Sequence, residues 1–269
     1  MRLPAVVHVD LDGAAEIYEA HGWRRNGGGD PLFESGMRHA LDFFASYGVR
    51  ATLFVIARQL DDPRKREWIR EAVRQGHEIG SHTVTHRSLT RLEVAEKRRE
   101  IFQSRDRLAA DLGVEVRGFR APQFHIDRES LELIAEAGYD YDSSLFPASR
   151  VQQKPYRPIP GRGLLELSLP SAAPLPFPFH PCYSLVLGIP YYRLAFHRFR
   201  MRRAPLVFLF HLTDFAEPLP EAHLNGWADR IYTLSHLSAE SKRRRCGKML
   251  DAVRKHFRIT TTGELVNAI

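Results

Sequence analysis

Residues 5–14 read AVVHVDLDGA, a β-branched run that ends in two carboxylates, Asp10 and Asp12, with Leu11 between them. The run has the composition of a buried strand. Its ending admits two readings. Asp-Gly at residues 12–13 is among the commonest turn pairs, which would leave both acids solvated. Alternatively, side chains two apart on a strand project to one side, so Asp10 and Asp12 converge on a single point. At the C-terminal end of a first parallel strand, that point faces the usual active-site mouth of an α/β fold.

Downstream, short apolar runs alternate with helical segments that carry their own end signals. Asp30-Pro31 predicts an N-cap followed by a first-turn proline. Phe33, Met37, Leu41 and Phe44 then recur at helical spacing up to Gly48. VRATLFVI (49–56) reads as the second strand. Asp62-Pro63 repeats the cap, with Trp68, Ile69, Ala72 and Val73 on one face and Gly76 at the end. A third strand runs through HEIGSH (77–82). Thr90 and Glu93 predict a capping box at the head of a long helix ending at Gly113. VRGFR (116–120), a helix from Asp127 to Gly138 and YDYDSS (139–144) follow. LLELSL (164–169) and PLVFLFHL (205–212) read as strands, then come a basic helix over 239–256, FRITT (257–261) and a last short helix.

This alternation predicts a parallel sheet covered by helices, either doubly wound or closed into a barrel. No internal repeat is evident. Prolines crowd the one break in the rhythm, so the chain reads as a single domain over 1–269 with an apolar, Pro-rich insertion at about 168–205. Its 269 residues are enough to bury a full core, and 43% hydrophobic with 26% charged residues is ordinary for a globular protein. The net charge of +7 suggests an anionic neighbour without naming one. Two cysteines, Cys182 and Cys246, imply free thiols rather than a disulfide framework. MRLPAVVHVD has no long apolar stretch before its first acids, so no secretory signal is expected and the cytoplasm is the expected compartment.

A second feature bearing on chemistry is GSHTVTH (80–86), with His82 and His86 at i, i+4. Within a helical turn that spacing puts both imidazoles on one face, as in many zinc sites. The spacing alone is weak, since 13 histidines placed at random would yield roughly 0.6 such pairs. Position adds weight, because the pair follows the third strand and so joins the two aspartates. Asp12, His82 and His86 would make three ligands with an open position for water, the pattern of a catalytic metal site. Arg120 in GFRAPQF and His211 in FLFHLTDF end two further strands on the same rim. Each alone is more often structural; four strand ends bearing Asp/Asp, His/His, Arg and His point to a site.

These residues, in this order, resemble the polysaccharide deacetylase family (carbohydrate esterase family four, the NodB homology domain). The likeness extends through GVRATLFVIA, REAVRQGHEIGSHTVTH, GFRAPQF, GYDYDSS and ITTTGELV. It implies a distorted (β/α) barrel and a metal-dependent carbohydrate N-deacetylase, an amide C–N hydrolase. Asp10 matches the family's base and Asp12 its ligand aspartate. His82-Thr83-Val84-Thr85-His86 matches the two-histidine motif, Arg120-Ala121-Pro122 the Arg-x-Pro motif, and His211 the general acid. The cofactor implied is a divalent metal, with Zn²⁺ favoured by one carboxylate and two imidazoles. Leu11 separates aspartates that are adjacent in the usual motif. Gln123 replaces a common tyrosine, leaving its backbone N–H, beside Pro122, as the oxyanion contact. Asp140 and Asp142 fall at the fourth motif without its tryptophan, and Asp142 and His125 are further candidates.

The implied substrate is an N-acylated amino sugar in a glycan or lipid-linked glycan. Hydrolysis of a non-sugar or cyclic amide and a non-catalytic glycan-binding barrel are the alternatives. No nucleic-acid motif appears, so no nucleic-acid partner is expected. The oligomeric state is left open. From Leu167 to Tyr192 there is no Asp, Glu, Lys or Arg, a length that would span a bilayer. Pro170, Pro174, Pro176, Pro178, Pro181 and Pro190 interrupt it, so an apolar loop over the rim is expected rather than a helix. RLAFHRFRMRRAP (193–205) follows, and arginines flanking apolar residues suggest peripheral contact with an anionic membrane, on its inner face.

Overall fold

A computed structural model describes residues 2–146, 153–171 and 179–269. The chain opens with β1 (Pro4–Asp10), α1 (Ala14–His21), α2 (Pro31–Tyr47), β2 (Thr52–Val55), α3 (Pro63–Arg74) and β3 (Glu78–Ser81). It continues with α4 (Val94–Leu112), β4 (Gly118–Phe119), α5 (Arg128–Glu136), β5 (Tyr141–Asp142) and β6 (Leu165–Glu166). Then come α6 (Pro181–Leu187), α7 (Ile189–Arg200), β7 (Leu206–His211), α8 (Trp227–Tyr232), α9 (Ala239–His256), β8 (Arg258–Ile259) and α10 (Thr262–Asn267).

The strands form one sheet in the order β6-β5-β4-β3-β2-β1-β7, with β8 paired to the start of β1. All these pairings are parallel. Among the described residues β6 and β7 do not pair, so the expected distorted barrel is a half-barrel, open between those two edges.

The two faces of β1 have different surroundings. Ala5, Val7, Val9 and Leu11 belong to the larger core, with Phe33, Met37 and Phe44 of α2. Val6 belongs to a smaller cluster with Phe54, Tyr141, Leu165, Val207 and Leu209 that fills the barrel interior. His8 and Asp10 follow Val6 on the interior face, by the two-residue period of a strand. Leu11 N–H donates to the Phe54 carbonyl at 3.2 Å, so the strand path continues past Asp10. Leu11 is therefore buried on the helix side while the acids on either side of it turn inward. The spacing is what allows both carboxylates to face one interior.

That interior is narrow. Gly80 and Gly118 sit opposite each other in register. A Cβ at Gly118 would lie 2.1 Å from the Tyr141 ring, and one at Gly80 2.6 Å from the Phe54 ring. Only glycine leaves room there for the Tyr141 and Phe54 rings of the interior cluster.

End signals located most helices. Asp30, Asp62, Asp127 and Ser238 each accept a first-turn N–H as N-caps. Two expectations fail. The Thr90–Glu93 box does not form: residues 89–91 make a 3₁₀ turn, Thr90 pairs with Ser88 at 3.3 Å, and α4 begins at Val94 with Glu93 as its N-cap. The Pro-rich insertion is not a loop throughout, because Pro181 and Pro190 occupy the first turns of α6 and α7, where a missing N–H costs nothing. Pro174, Pro176 and Pro178 lie outside the described residues.

Gly118→Ala is expected to destabilise the protein by about 1–3 kcal/mol through overpacking against Tyr141. The measurement is the midpoint of urea unfolding, and an unchanged midpoint would mean the ring can retreat.

Candidate active site

Asp10, Asp12, His82, His86, Gln123 and His211 line one cavity at the C-terminal ends of the strands. Sheet register does much of this. Asp10 lies directly beside His211 across the β1–β7 pair, and their side chains approach to 3.7 Å between Oδ2 and Nε2.

Arg120, with no solvent exposure, holds Asp10. Its Nη1 donates to Asp10 Oδ1 at 2.9 Å, its Nε to the Ser143 carbonyl at 2.8 Å, and its Nη2 to Ser143 Oγ and His8 Nδ1, each at 2.8 Å. The guanidinium also lies over the Phe54 ring, 4.3 Å from its centroid. Burial first, and Arg120 second, push His8 well below the ordinary imidazole range. His8 is thus a neutral acceptor for Arg120, with its Nε2–H donating to Thr262 Oγ1 at 3.1 Å.

The Asp12-Gly13 pair is not the left-handed turn that local preference suggests. Gly13 has φ −85° and caps α1. Glycine is needed there for space, because a Cβ would lie 2.1 Å from Asp30 Oδ2. Buried Asp30 in turn accepts from the Ala14 and Phe33 N–H groups and from Lys65 Nζ at 2.7 Å. Gln59 Nε2 donates to the Leu11 carbonyl at 2.7 Å and fixes the other end of this segment.

The His82/His86 pair is also built differently from the helical turn its spacing suggests. Residues 82–88 form a loop in which Thr83 and His86 have φ of 66° and 65°. For a β-branched threonine this left-handed conformation carries strain. Glu100 on α4 offsets it, accepting from the Val84 and Thr85 N–H groups at 2.8 Å each and from Thr85 Oγ1 at 2.5 Å. Thr83 Oγ1 accepts from the His86 N–H at 3.0 Å.

These supports aim three potential ligands at one point. His82 Nδ1–H donates to the Arg120 carbonyl at 2.7 Å, which leaves the Nε2 lone pair free. Asp12 Oδ1 lies 3.5 Å from His82 Nε2 and 3.2 Å from His86 Nε2. Asp12 Oδ1 and His86 Nε2 are buried, and neither makes a hydrogen bond of acceptable geometry. One carboxylate and two imidazole nitrogens, all within 4.8 Å of one another, can hold a divalent cation. Burial alone would raise Asp12, but His86 and His82 outweigh it and hold its carboxyl well below the usual range. Burial likewise opposes a charge on His86, yet Asp12 raises its pKa above the ordinary value. Protonation of His86 competes with a cation for Nε2, so affinity falls as pH drops through that titration.

The other candidates separate. Gln123 lines the cavity with φ 56°. Pro122 is buried and not part of the lining. His125 is exposed, outside the cavity, and bonds Ser88 Oγ at 3.1 Å. Asp142 lies behind Arg120, accepting from Ser144 Oγ, whose oxygen in turn accepts the Ala121 N–H. Burial raises both Asp142 and its neighbour Glu166, and the Asp142 charge pushes Glu166 further. Beside His211, Asp214 accepts the His211 backbone N–H at 2.9 Å, and burial pushes it up to about 6 against the pull of His211. Sequence reasoning missed Glu100, Gln59, His8 and His180. His8 and the cavity-lining His180, each a histidine in an otherwise apolar stretch, carried a visible signal.

Residues 29–141 match the family model for polysaccharide deacetylase, a stretch that includes His82, His86 and Arg120. Over that stretch the chain is similar to polysaccharide deacetylases. A chitooligosaccharide deacetylase of Bradyrhizobium sp. (strain ANU 289) is 36% identical over 99 residues, covering 36% of this chain and 44% of that relative. The chain matches half or less of the length of its curated relatives. A putative polysaccharide deacetylase from Mycobacterium smegmatis has the same fold, with TM-score 0.69 and 19% identity over 100% of this chain and 90% of that one. So does Puue allantoinase, with TM-score 0.67 and 15% identity over 98% of this chain and 89% of that one.

Glu100→Ala is expected to weaken metal affinity by ~10–100-fold while leaving every ligand in place. Competition with a chelator, measured across pH, checks this. Both proteins should bind more tightly as pH rises, and equal affinities would remove Glu100 from the support of the loop.

Proposed function

We propose that this chain is a metal-dependent hydrolase that removes an N-acyl group, such as acetyl, from an amino sugar. The observation that carries the reading is the convergence on one cavity of a metal-holding triad, an Arg120-clamped carboxylate and a strand-end histidine. The relatives named chitooligosaccharide deacetylases support the amino-sugar substrate.

Asp12, His82 and His86 would hold the cation, with Zn²⁺ the best match to this donor set. When bound it polarises the acyl oxygen and lowers the pKa of water. Asp10 takes a proton from the attacking water, and Arg120 fixes the carboxylate by occupying Oδ1 so that Oδ2 faces the cavity. The Gln123 backbone N–H supports the oxyanion. The carbonyl carbon gains a C–O bond, the C–N bond breaks, and protonated His211 gives its Nε2 proton to the departing amine. Products are a small carboxylic acid and a free amino sugar.

His82→Ala is expected to lose metal content and amine release together. Asp10→Asn should retain metal and lose ~10²–10⁴-fold in turnover. Amine release from acetylated chito-oligomers, set against ring opening of cyclic ureides, measures both variants and separates the sugar reading from a cyclic-amide one. Full turnover by Asp10→Asn would reject Asp10 as the base.

A second contact has its own support. Helix α7 buries Tyr192, Ala195, Phe196 and Phe199 and exposes Arg193, Arg198 and Arg200. Leu194 and Met201, seven apart and so on one face, are 50% and 73% exposed. Apolar side chains flanked by arginines suit the surface of an anionic bilayer. No helix among the described residues is long and apolar enough to cross a membrane. Binding to phosphatidylglycerol vesicles at low salt, weakening as salt rises, is expected; equal behaviour with phosphatidylcholine vesicles would reject the contact.

A further inference from the structure

The cavity over the metal-holding triad encloses about 340 Å³. That lies within the roughly 300–1,000 Å³ of pockets that enclose a whole small molecule. Its floor is polar, formed by Asp10, Asp12, His82, His86 and His211. Its walls are mainly hydrocarbon. Ile17 comes from α1, Phe124 from the turn after β4, Phe146 from beyond β5, Val186 and Leu187 from α6, and Ile231 from α8.

Charge is distributed the opposite way from the chain as a whole. The net charge is +7, yet among the described residues no lysine or arginine lines the cavity and the only acids there are Asp10 and Asp12. Beyond that floor the groups able to hydrogen-bond are His21, Gln123, His180, Tyr183, Thr213 and Tyr232, and the remaining lining is apolar. An acetyl methyl would fill little of the space. Three wall residues also stay open to water: Phe146 is 40%, Val186 48% and Leu187 43% exposed. A contiguous apolar rim of this kind marks a binding surface.

We propose that this cavity binds a hydrocarbon chain of the substrate, longer than acetyl, beside the scissile amide. The inference rests on the amidase reading above and deepens it by naming the substrate's chemistry. The chain enters between α6 and the Phe124–Phe146 side, and covering Val186 and Leu187 removes their exposed surface from water. It has two chemical sources: a long N-acyl group, which leaves as a fatty acid, or an alkyl or lipid group on the sugar side, which stays with the amine.

Three probes test it on the full chain below their aggregation concentrations: N-acetylglucosamine, N-octanoylglucosamine and the octyl glycoside of N-acetylglucosamine. Calorimetry with chelator present reads binding without turnover. At least one octyl-bearing probe should bind about tenfold or more tightly than N-acetylglucosamine. Val186→Ser combined with Leu187→Ser should reduce that ratio at least threefold. Equal affinity for all three probes, or a ratio the double variant leaves untouched, overturns the inference. Amine release by the Zn²⁺-loaded protein then identifies the source, since kcat/KM should rise for the N-octanoyl probe in one case and for the octyl glycoside in the other. Binding that favours the octyl chain with no amine release from any probe, or from acetylated chito-oligomers, leaves the subsite standing and removes the amidase reading. Amine release with no preference for chain length does the reverse.

Discussion

A guanidinium without solvent exposure organises this site. Arg120 donates to the Asp10 carboxylate, His8, and the carbonyl and hydroxyl of Ser143. Its own backbone bonds Ser81 through the N–H and His82 through the carbonyl. One residue thus links β1, β3 and β4 with Ser143 just past β5. A buried charge is tolerated only where its hydrogen bonds and counter-charge are complete. Here one carboxylate supplies the charge, and burial keeps His8 neutral so that it accepts a hydrogen bond from Arg120 rather than repelling it. The proposed base and one proposed ligand therefore share a support, and neither is placed independently of the other.

The ligand side is held by a different device. Thr83 and His86 adopt left-handed backbone that their residue types disfavour, and three hydrogen bonds to Glu100 keep the loop there. Opposite, Asp30 joins the start of α1, the start of α2 and Lys65 around Gly13. Both acids are buried and fully engaged, which is how a loop can be as well placed as a helix. The result is a concave site with a charged floor, apolar walls and most of the chain's positive charge on its outer surface.

Much of the site was legible because sheet geometry converts sequence position into space. A carboxylate at the end of β1 and a histidine at the end of β7 become neighbours once the strands pair, since Asp10 and His211 share a register. Local rules read well at Asp30, Asp62 and Asp127, where a cap involves atoms only three residues away. They failed where a local preference competed with a distant contact. Asp12-Gly13 reads as a turn, but the glycine answers to Asp30, seventeen residues on. His82 and His86 have helical spacing, but the loop answers to Glu100. Pro181 and Pro190 read as breakers, yet each opens a helix whose partners are not visible in the local sequence.

By itself, the sequence determined the order of strands and helices, most helix starts and the set of residues able to carry chemistry, because these depend on period, caps and side-chain type. The resemblance to polysaccharide deacetylases is legible at the same level, in motifs of a few residues. Only the tertiary structure decided that the barrel is open between β6 and β7, that Arg120 is wholly buried and held by a neutral histidine, and that α6 turns hydrocarbon toward the cavity. Those outcomes depend on groups separated by tens to hundreds of residues, as Arg120 is from His8 and Thr52 from Thr262. Burial and neutral protonation states exist only once such pairs have met.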